Sequence, residues 1–160
     1  HSMLQAGVPP SAVHLEITES ALMGDLDPVL TTLDALRALG LNLAVDDFGT
    51  GYSSLSYLKR LPVATLKIDR SFVDGLGGAD DHSDRPIADA ILKLASALQL
   101  DVIAEGVENE QQLHVLQSLG GRIAQGFLWS RPIPADQIGV WLSAGPLDTE
   151  DSIHPDGLTL

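Results

Sequence analysis

Leu41-Asn42-Leu43-Ala44-Val45-Asp46-Asp47 is the stretch on which the fold turns. Leu41, Leu43 and Val45 alternate with Asn42, Ala44 and Asp46, and this period of two marks a strand with unlike faces. In an open doubly wound sheet both faces meet helices, and strands become almost continuously apolar. Bulky residues alternating with small or polar ones fit a barrel wall better. There the bulky set faces an outer layer of helices and the other set faces the interior.

The flanking sequence repeats the arrangement. Upstream, residues 13–17 read as a short strand. Asp27 and Pro28 then supply an N-cap and a first-turn proline, and Val29, Leu30, Leu33, Leu36 and Leu39 follow at helical spacing up to Gly40. Downstream, a glycine-rich loop leads to a short helix ending near Leu58, then a strand at 63–68. A short helical stretch at 71–76 and a loop at 77–84 follow, and Pro86 is expected to open a longer helix. Residues 100–104 form a strand, Asn109 with Gln112 resembles a capping box, 122–125 is a last strand, and Pro134 starts a terminal helix. Five strands, each followed by helical sequence, predict a parallel α/β fold.

Length restrains that reading. The chain has 160 residues, whereas an eight-stranded (β/α)8 TIM barrel takes about 250 and rarely fewer than about 200. The expectation is an incomplete barrel of about five βα units at 4–145. Residues 1–3 resemble a tag remnant, and 146–160 are expected to form a flexible tail.

Composition sets further bounds. There are 22 acidic and 9 basic residues, a net charge of −13, 44% hydrophobic residues and no cysteine. A core is available, and disulfides and thiolate metal sites are excluded. No apolar run approaches the roughly 20 residues of a membrane span. The acidity disfavours a nonspecific grip on DNA. It still permits a phosphate substrate, because carboxylates can hold cations that in turn hold phosphate. A cytoplasmic location is the default expectation.

Some of those acids fall where a solvated surface would not need them. Glu16 lies near the end of the first strand, Asp46 and Asp47 end the second, Lys67 and Asp69 the third, Glu105 the fourth with Glu108 just beyond, and Gln125 the fifth. One acid after a strand is ordinarily a helix cap. Five strands delivering polar groups to one rim point to a pocket, with a structural ion-pair layer as the competing reading. Glu16, Asp46, Asp47 and Glu105 are hard oxygen ligands suited to Mg2+ or Mn2+. A pair such as Asp46-Asp47 could hold two cations, as in-line phosphodiester hydrolysis often uses. Lys67 would then hold water or a phosphate oxygen, and Gln125 water or a base edge. The loop Phe48-Gly49-Thr50-Gly51-Tyr52-Ser53-Ser54 reads either as a tight strand-to-helix turn or as a mobile element that places the acidic pair and contacts a partner chain.

Together these segments resemble a known family, the EAL domain of bacterial cyclic-di-GMP-specific phosphodiesterases. The likeness rests on Leu15-Glu16-Ile17-Thr18-Glu19-Ser20, on Val45-Asp46-Asp47-Phe48-Gly49-Thr50-Gly51-Tyr52-Ser53-Ser54-Leu55, on Leu66-Lys67-Ile68-Asp69, on Ala104-Glu105-Gly106-Val107-Glu108, and on Gln125-Gly126-Phe127-Leu128 with Ser130-Arg131-Pro132.

The resemblance implies a (β/α)8-type barrel with one antiparallel strand. It also implies hydrolysis of cyclic di-GMP to the linear dinucleotide with Mg2+ or Mn2+, two ions being expected and Ca2+ inhibitory. Glu16, Asp46, Asp47 and Glu105 would be metal ligands, and Glu105 and Lys67 catalytic. Gln125, Asp69, Glu108 and Phe127 would line the substrate or support the site. Glu19, with Gly49, Thr50 and Gly51, would anchor a loop used in dimerisation, so a homodimer is implied, with sensory or cyclase domains upstream in the parent protein. The Glu-Ala-Leu signature and an asparagine ligand of the following strand are absent from the sequence. The expectation is therefore a domain of competent type whose isolated 160 residues are inactive. The rival expectations are a noncatalytic cyclic-di-GMP receptor or regulatory scaffold, and a different metal-dependent phosphodiesterase on a similar barrel.

Overall fold

The computed structural model describes residues 5–22, 26–51, 55–78 and 81–144. The expected tag remnant and tail lie outside these residues, as do Tyr52, Ser53 and Ser54. In chain order the elements are β1 (His14–Thr18), α1 (Leu26–Ala38), β2 (Asn42–Phe48), α2 (Leu55–Leu58), β3 (Thr65–Ile68), α3 (Asp81–Ala97), β4 (Asp101–Glu105), α4 (Glu110–Ser118), β5 (Ile123–Gln125) and α5 (Ala135–Ala144). Short 3-10 turns sit at Pro10–Ala12, Glu19–Leu22 and Arg70–Phe72.

The strands form one sheet in the order β1-β2-β3-β4-β5, every pair parallel. Sequential neighbours joined through helices are what a section of (β/α) barrel wall requires. Leu43, Val45, Leu66, Ile68, Ala104 and Ala124 join helical Leu33, Ala88, Ile91, Ala95 and Leu116 in one buried cluster. Register explains which residues remain for the other face. Val45 pairs with Leu66 and Leu66 with Val102, all on the helix side. Lys67 pairs with Ile103 and Ile103 with Ile123, while Glu105 pairs with Gln125. Counting by two from these, Glu16, Ala44, Asp46, Lys67, Glu105 and Gln125 share the inner face.

Two helix starts differ from expectation. Helix α3 begins at Asp81, so Pro86 lies inside it. Asp81 and Asp84 occupy the first turn, where carboxylates suit the helix dipole, and Asp81 also accepts a hydrogen bond from the Gly77 amide at 2.9 Å. Proline forfeits one helical hydrogen bond there, a cost that the burial of Ala88, Ile91, Leu92 and Ala95 outweighs. Helix α1 starts at Leu26, one residue before the expected cap, because Leu26 itself is buried. The stretch at 71–76 is helical only as the 3-10 turn Arg70–Phe72. The capping box at Asn109 and Gln112 is present in both directions.

Gly126, just after β5, shows how closely the strand ends are seated. A Cβ there would collide with the Val107 carbonyl oxygen and with its nitrogen. Both are backbone atoms, and Val107 also exchanges hydrogen bonds with Gln125 and Leu128. Gly126→Ala is therefore expected to destabilise the fold by about 3 kcal/mol, read from denaturant midpoints. An unchanged midpoint would show that the two segments separate freely.

Candidate functional site

The inner-face residues converge on Lys67. Its side chain is buried, with the whole residue only 4% exposed, and its ammonium lies 2.6 Å from Glu16 Oε2, 2.6 Å from Glu105 Oε1 and 3.1 Å from Asp46 Oδ1. Three strands thus send carboxylates to a lysine on the central strand. Gln125 Nε2 donates to the same Glu105 Oε1 at 2.7 Å.

Asp47 joins this group through a defect in β2. Val45 pairs with Leu66 and Phe48 with Ile68, so three steps along β2 match two along β3. The extra residue is a β-bulge, and Asp47 takes a left-handed φ of 54° within it. In regular pleating Asp47 would face the helices with Val45. The bulge instead leaves Phe48 buried on the helix side and brings Asp47 beside Asp46. One carboxylate oxygen each from Asp46, Asp47 and Glu105 lie within 4.8 Å of one another.

The loop after β2 is tied from below. Glu19, 2% exposed, accepts hydrogen bonds through Oε2 from the Gly49 amide at 2.9 Å and the Gly51 amide at 3.1 Å. Gly49 has φ 103°, and a Cβ at Gly51 would press on the Glu19 carboxyl at 2.9 Å. Thr50 turns back on Asp47, its hydroxyl donating to the Asp47 carbonyl at 2.8 Å. Glu19→Ala should remove about 2 kcal/mol of local stability and speed hydrogen exchange at Gly49 and Gly51 by roughly 30-fold. Unchanged exchange at those two amides would show that Glu19 does not hold the loop.

Electrostatics divides the cluster. For Lys67, burial lowers proton affinity, but hydrogen bonds to Glu105, Glu16 and Asp46 outweigh it, and the pKa rises above the ordinary lysine range. Its stabilising contribution is thus intact at neutral pH and is lost only as alkali passes that raised value. Glu105 is also raised, chiefly by burial, with Lys67 opposing and the charges of Asp46 and Glu16 adding to the rise. The two shifts are compatible. Lys67 gains three carboxylates, whereas Glu105 must share one lysine with two other acids.

The remaining expected residues spread outward from this centre. Asp69 caps the turn that follows β3, its Oδ1 accepting from the Ser71 amide at 3.0 Å. Glu108 pairs with Arg70 at 2.9 Å. Phe127 is exposed, with the Arg131 guanidinium over its ring at 4.8 Å. A cavity of about 640 Å3 runs from Glu105 and Gln125 past Phe127 and Arg131 to Ile138 and Trp141. Sequence reasoning missed Arg131, Ile138 and Trp141 as wall residues. The Ser130-Arg131-Pro132 segment carries part of the family likeness, but nothing in it signals a cavity.

The acidic group suits a hard divalent cation. Asp46 Oδ1 is buried with the Lys67 ammonium at 3.1 Å, and the oxygens of Asp47 and Glu105 stand close by. An all-carboxylate donor set matches magnesium or manganese.

The sequence profile of the EAL domain matches residues 1–132. The chain belongs to the EAL domain family. It is 49% identical over 138 residues to the bifunctional diguanylate cyclase/cyclic di-GMP phosphodiesterase MucR of Pseudomonas aeruginosa, covering 86% of this chain and 20% of that protein. It is 45% identical over 148 residues to the cyclic di-GMP phosphodiesterase NbdA of the same organism, covering 92% of this chain and 19% of that one. The chain therefore spans about a fifth of the length of these relatives.

Among solved structures, the EAL domain of Mycobacterium smegmatis DcpA superposes with TM-score 0.83 at 48% identity, covering 91% of this chain and 64% of that chain. A MucR phosphodiesterase complex with c-di-GMP gives 0.80 at 48% identity, covering 86% and 55%. Klebsiella pneumoniae BlrP1 in complex with manganese and c-di-GMP gives 0.73 at 40% identity, covering 82% and 33%. These EAL neighbours accord with a partial TIM-barrel-like fold. No helix among the described residues is long and apolar enough to cross a membrane.

Proposed function

We propose that this EAL segment carries most of the catalytic rim of a cyclic-di-GMP phosphodiesterase, with Glu16, Asp46, Asp47 and Glu105 holding Mg2+ or Mn2+. The observation that carries the reading is the bulge that brings Asp47 beside Asp46 and Glu105, three carboxylates with oxygens within 4.8 Å of one another. A divalent cation bound there would lower the pKa of water and neutralise phosphate charge.

The chain's own groups supply the rest. Lys67 stays protonated, so it donates and never accepts. Its three N–H groups face Glu16, Asp46 and Glu105, so one of them would turn on substrate binding to the attacking water, held in line with the scissile bond, or to a nonbridging phosphate oxygen. Glu105, with its proton affinity raised by burial, accepts the water proton as the water oxygen bonds to phosphorus. The P–O3′ bond breaks, the departing oxygen takes up a proton from solvent water, and Glu105 returns its proton to solvent. Gln125 keeps Glu105 oriented through its 2.7 Å hydrogen bond.

The proposal extends to the 160 residues in isolation, which should hydrolyse cyclic di-GMP at or near background. Within the described residues the sheet has five strands, and β1 and β5 each pair on one side only. The parent protein with Mn2+ or Mg2+ should convert cyclic di-GMP to the linear dinucleotide, measured by chromatography, while the isolated chain should not. No turnover by the parent would refute the phosphodiesterase assignment. Calorimetric binding in Ca2+ without turnover in Mg2+ would assign the domain to a receptor instead.

A further inference from the structure

The side chain of Gln112 does more than close the cap of α4. It is buried, with the residue only 4% exposed, and both ends of its amide are engaged. Oε1 accepts from the Glu108 amide at 2.7 Å and from the Asn109 amide at 3.2 Å. Nε2 donates to the Asp74 carbonyl at 3.2 Å, 38 residues away in sequence. A glutamine amide accepts at one end and donates at the other, so these partners fix its orientation. A capping box needs only the accepting end. The bond to Asp74 is surplus to the cap.

That bond ties together two segments whose acids share one arginine. Arg70 Nε donates to Asp74 Oδ1 at 3.0 Å and Oδ2 at 3.2 Å, and its Nη2 lies 2.9 Å from Glu108 Oε1. Exposed ion pairs hold a side chain only weakly by themselves, but here Gln112 sets the spacing of the two acids from beneath. The stem of Arg70 crosses Gly106, the residue after Glu105. Gly106 has φ 73°, and a Cβ there would lie 2.5 Å from Arg70 Cγ. On the other side, Val107 donates to the Gln125 carbonyl at 3.1 Å and accepts from the Leu128 amide at 3.0 Å. The chain leaving Glu105 is thus gripped between the Arg70 stem and β5.

We propose that Gln112 is a positioning residue for Glu105. It fixes Asp74 and Glu108 at one spacing, which seats Arg70 on Gly106 and holds the backbone from which Glu105 reaches Lys67 and Gln125. This rests on the phosphodiesterase reading above, in which Glu105 accepts the water proton. A group in that role tolerates little displacement, since a misplacement of about 1 Å can cost roughly 10^2-fold in rate.

The test uses the full-length parent protein in Mn2+. Gln112→Glu is the discriminating variant. Glutamate serves the third position of a capping box as well as glutamine does, so both amide bonds remain and only the donor to Asp74 is lost. Its kcat should fall about tenfold with KM nearly unchanged, and calorimetry in Ca2+ should find cyclic di-GMP bound as tightly as by wild type. Arg70→Met should lower kcat by a similar factor, and the double variant should lose no more than either alone. Asn109→Ala removes the other half of the capping box, so it should lower Tm and leave kcat near wild type. Wild-type kcat in Gln112→Glu overturns the proposal, as do additive losses with Arg70→Met. An equal fall of kcat in Asn109→Ala also overturns it, because the stability of α4 would then explain everything. If Gln112→Glu folds poorly, Gln112→Met removes the same bridge and is judged against Asn109→Ala by the same criteria. Absence of turnover in wild type fails the phosphodiesterase reading and this proposal with it, whereas failure confined to the variants leaves that reading standing.

Discussion

Lys67→Met should lower the stability of the fold by about 3–5 kcal/mol, the cost of removing one partner from a buried ionic group. For a domain of this size that is a fall in Tm of roughly 10 °C or more. Methionine keeps most of the volume of the stem, so the loss isolates the ammonium. In wild type that ammonium is within 3.1 Å of Glu16, Asp46 and Glu105. Without it, three carboxylates face one another at the end of a parallel sheet, two of them well shielded from water.

The direction with pH separates this account from a packing defect. Carboxylates left facing one another without the ammonium regain neutrality as pH falls, so the variant's deficit relative to wild type should shrink as pH falls below neutrality. A cavity or rotamer defect would give a deficit independent of pH. A variant as stable as wild type at pH 7 would refute the idea that Lys67 holds the rim together. Added Mg2+ should recover part of the loss, since a divalent cation can stand in for the missing charge.

The convergence on Lys67 was legible in the sequence because strand period and strand-end position are both local properties. Leu43 and Val45 alternate with Ala44 and Asp46, and that alone assigns Asp46 to the inner face. A charge after Leu66 in an otherwise apolar strand calls for buried partners, and Glu16 and Glu105 lie at matching strand ends. Asp47 was legible as a candidate but its geometry was not. Strict alternation sends Asp47 to the helix side, and only the pairing of Phe48 with Ile68 reveals the extra residue. A bulge depends on the neighbouring strand's register, which no local pattern records.

Helix α3 failed for a related reason. Pro86 looks like a first-turn residue, but the decisive contact is the Asp81 carboxylate on the Gly77 amide, set by where the preceding turn lies. Trp141 falls in the terminal helix expected after Pro134. Its place on a cavity wall emerges only once β5, the following segment and α5 come together.

Asp47→Asn in the parent protein should reduce cyclic-di-GMP turnover by at least about 10^3-fold, or about 4 kcal/mol in the barrier, while leaving the fold as stable as before or slightly more so. Asparagine tolerates the left-handed conformation that Asp47 adopts, and it has the same shape. It also removes one negative charge from a site where Asp46 and Glu105 are close neighbours. Backbone and electrostatics therefore both favour the variant's folded state, and a loss of activity has to come from the carboxylate itself. Asp47→Ala is the contrasting case. Alanine is strained at φ 54°, so about 1 kcal/mol of stability should go as well. A binding measurement completes the argument. Mn2+ should raise the Tm of wild type and raise that of Asp47→Asn much less, because a neutral amide oxygen is a weaker ligand for a hard cation. If Asp47→Asn keeps both its turnover and its Mn2+-dependent stabilisation, the bulge is only an accommodation of β2 to β3, and the cation must be held by Glu16, Asp46 and Glu105 without it.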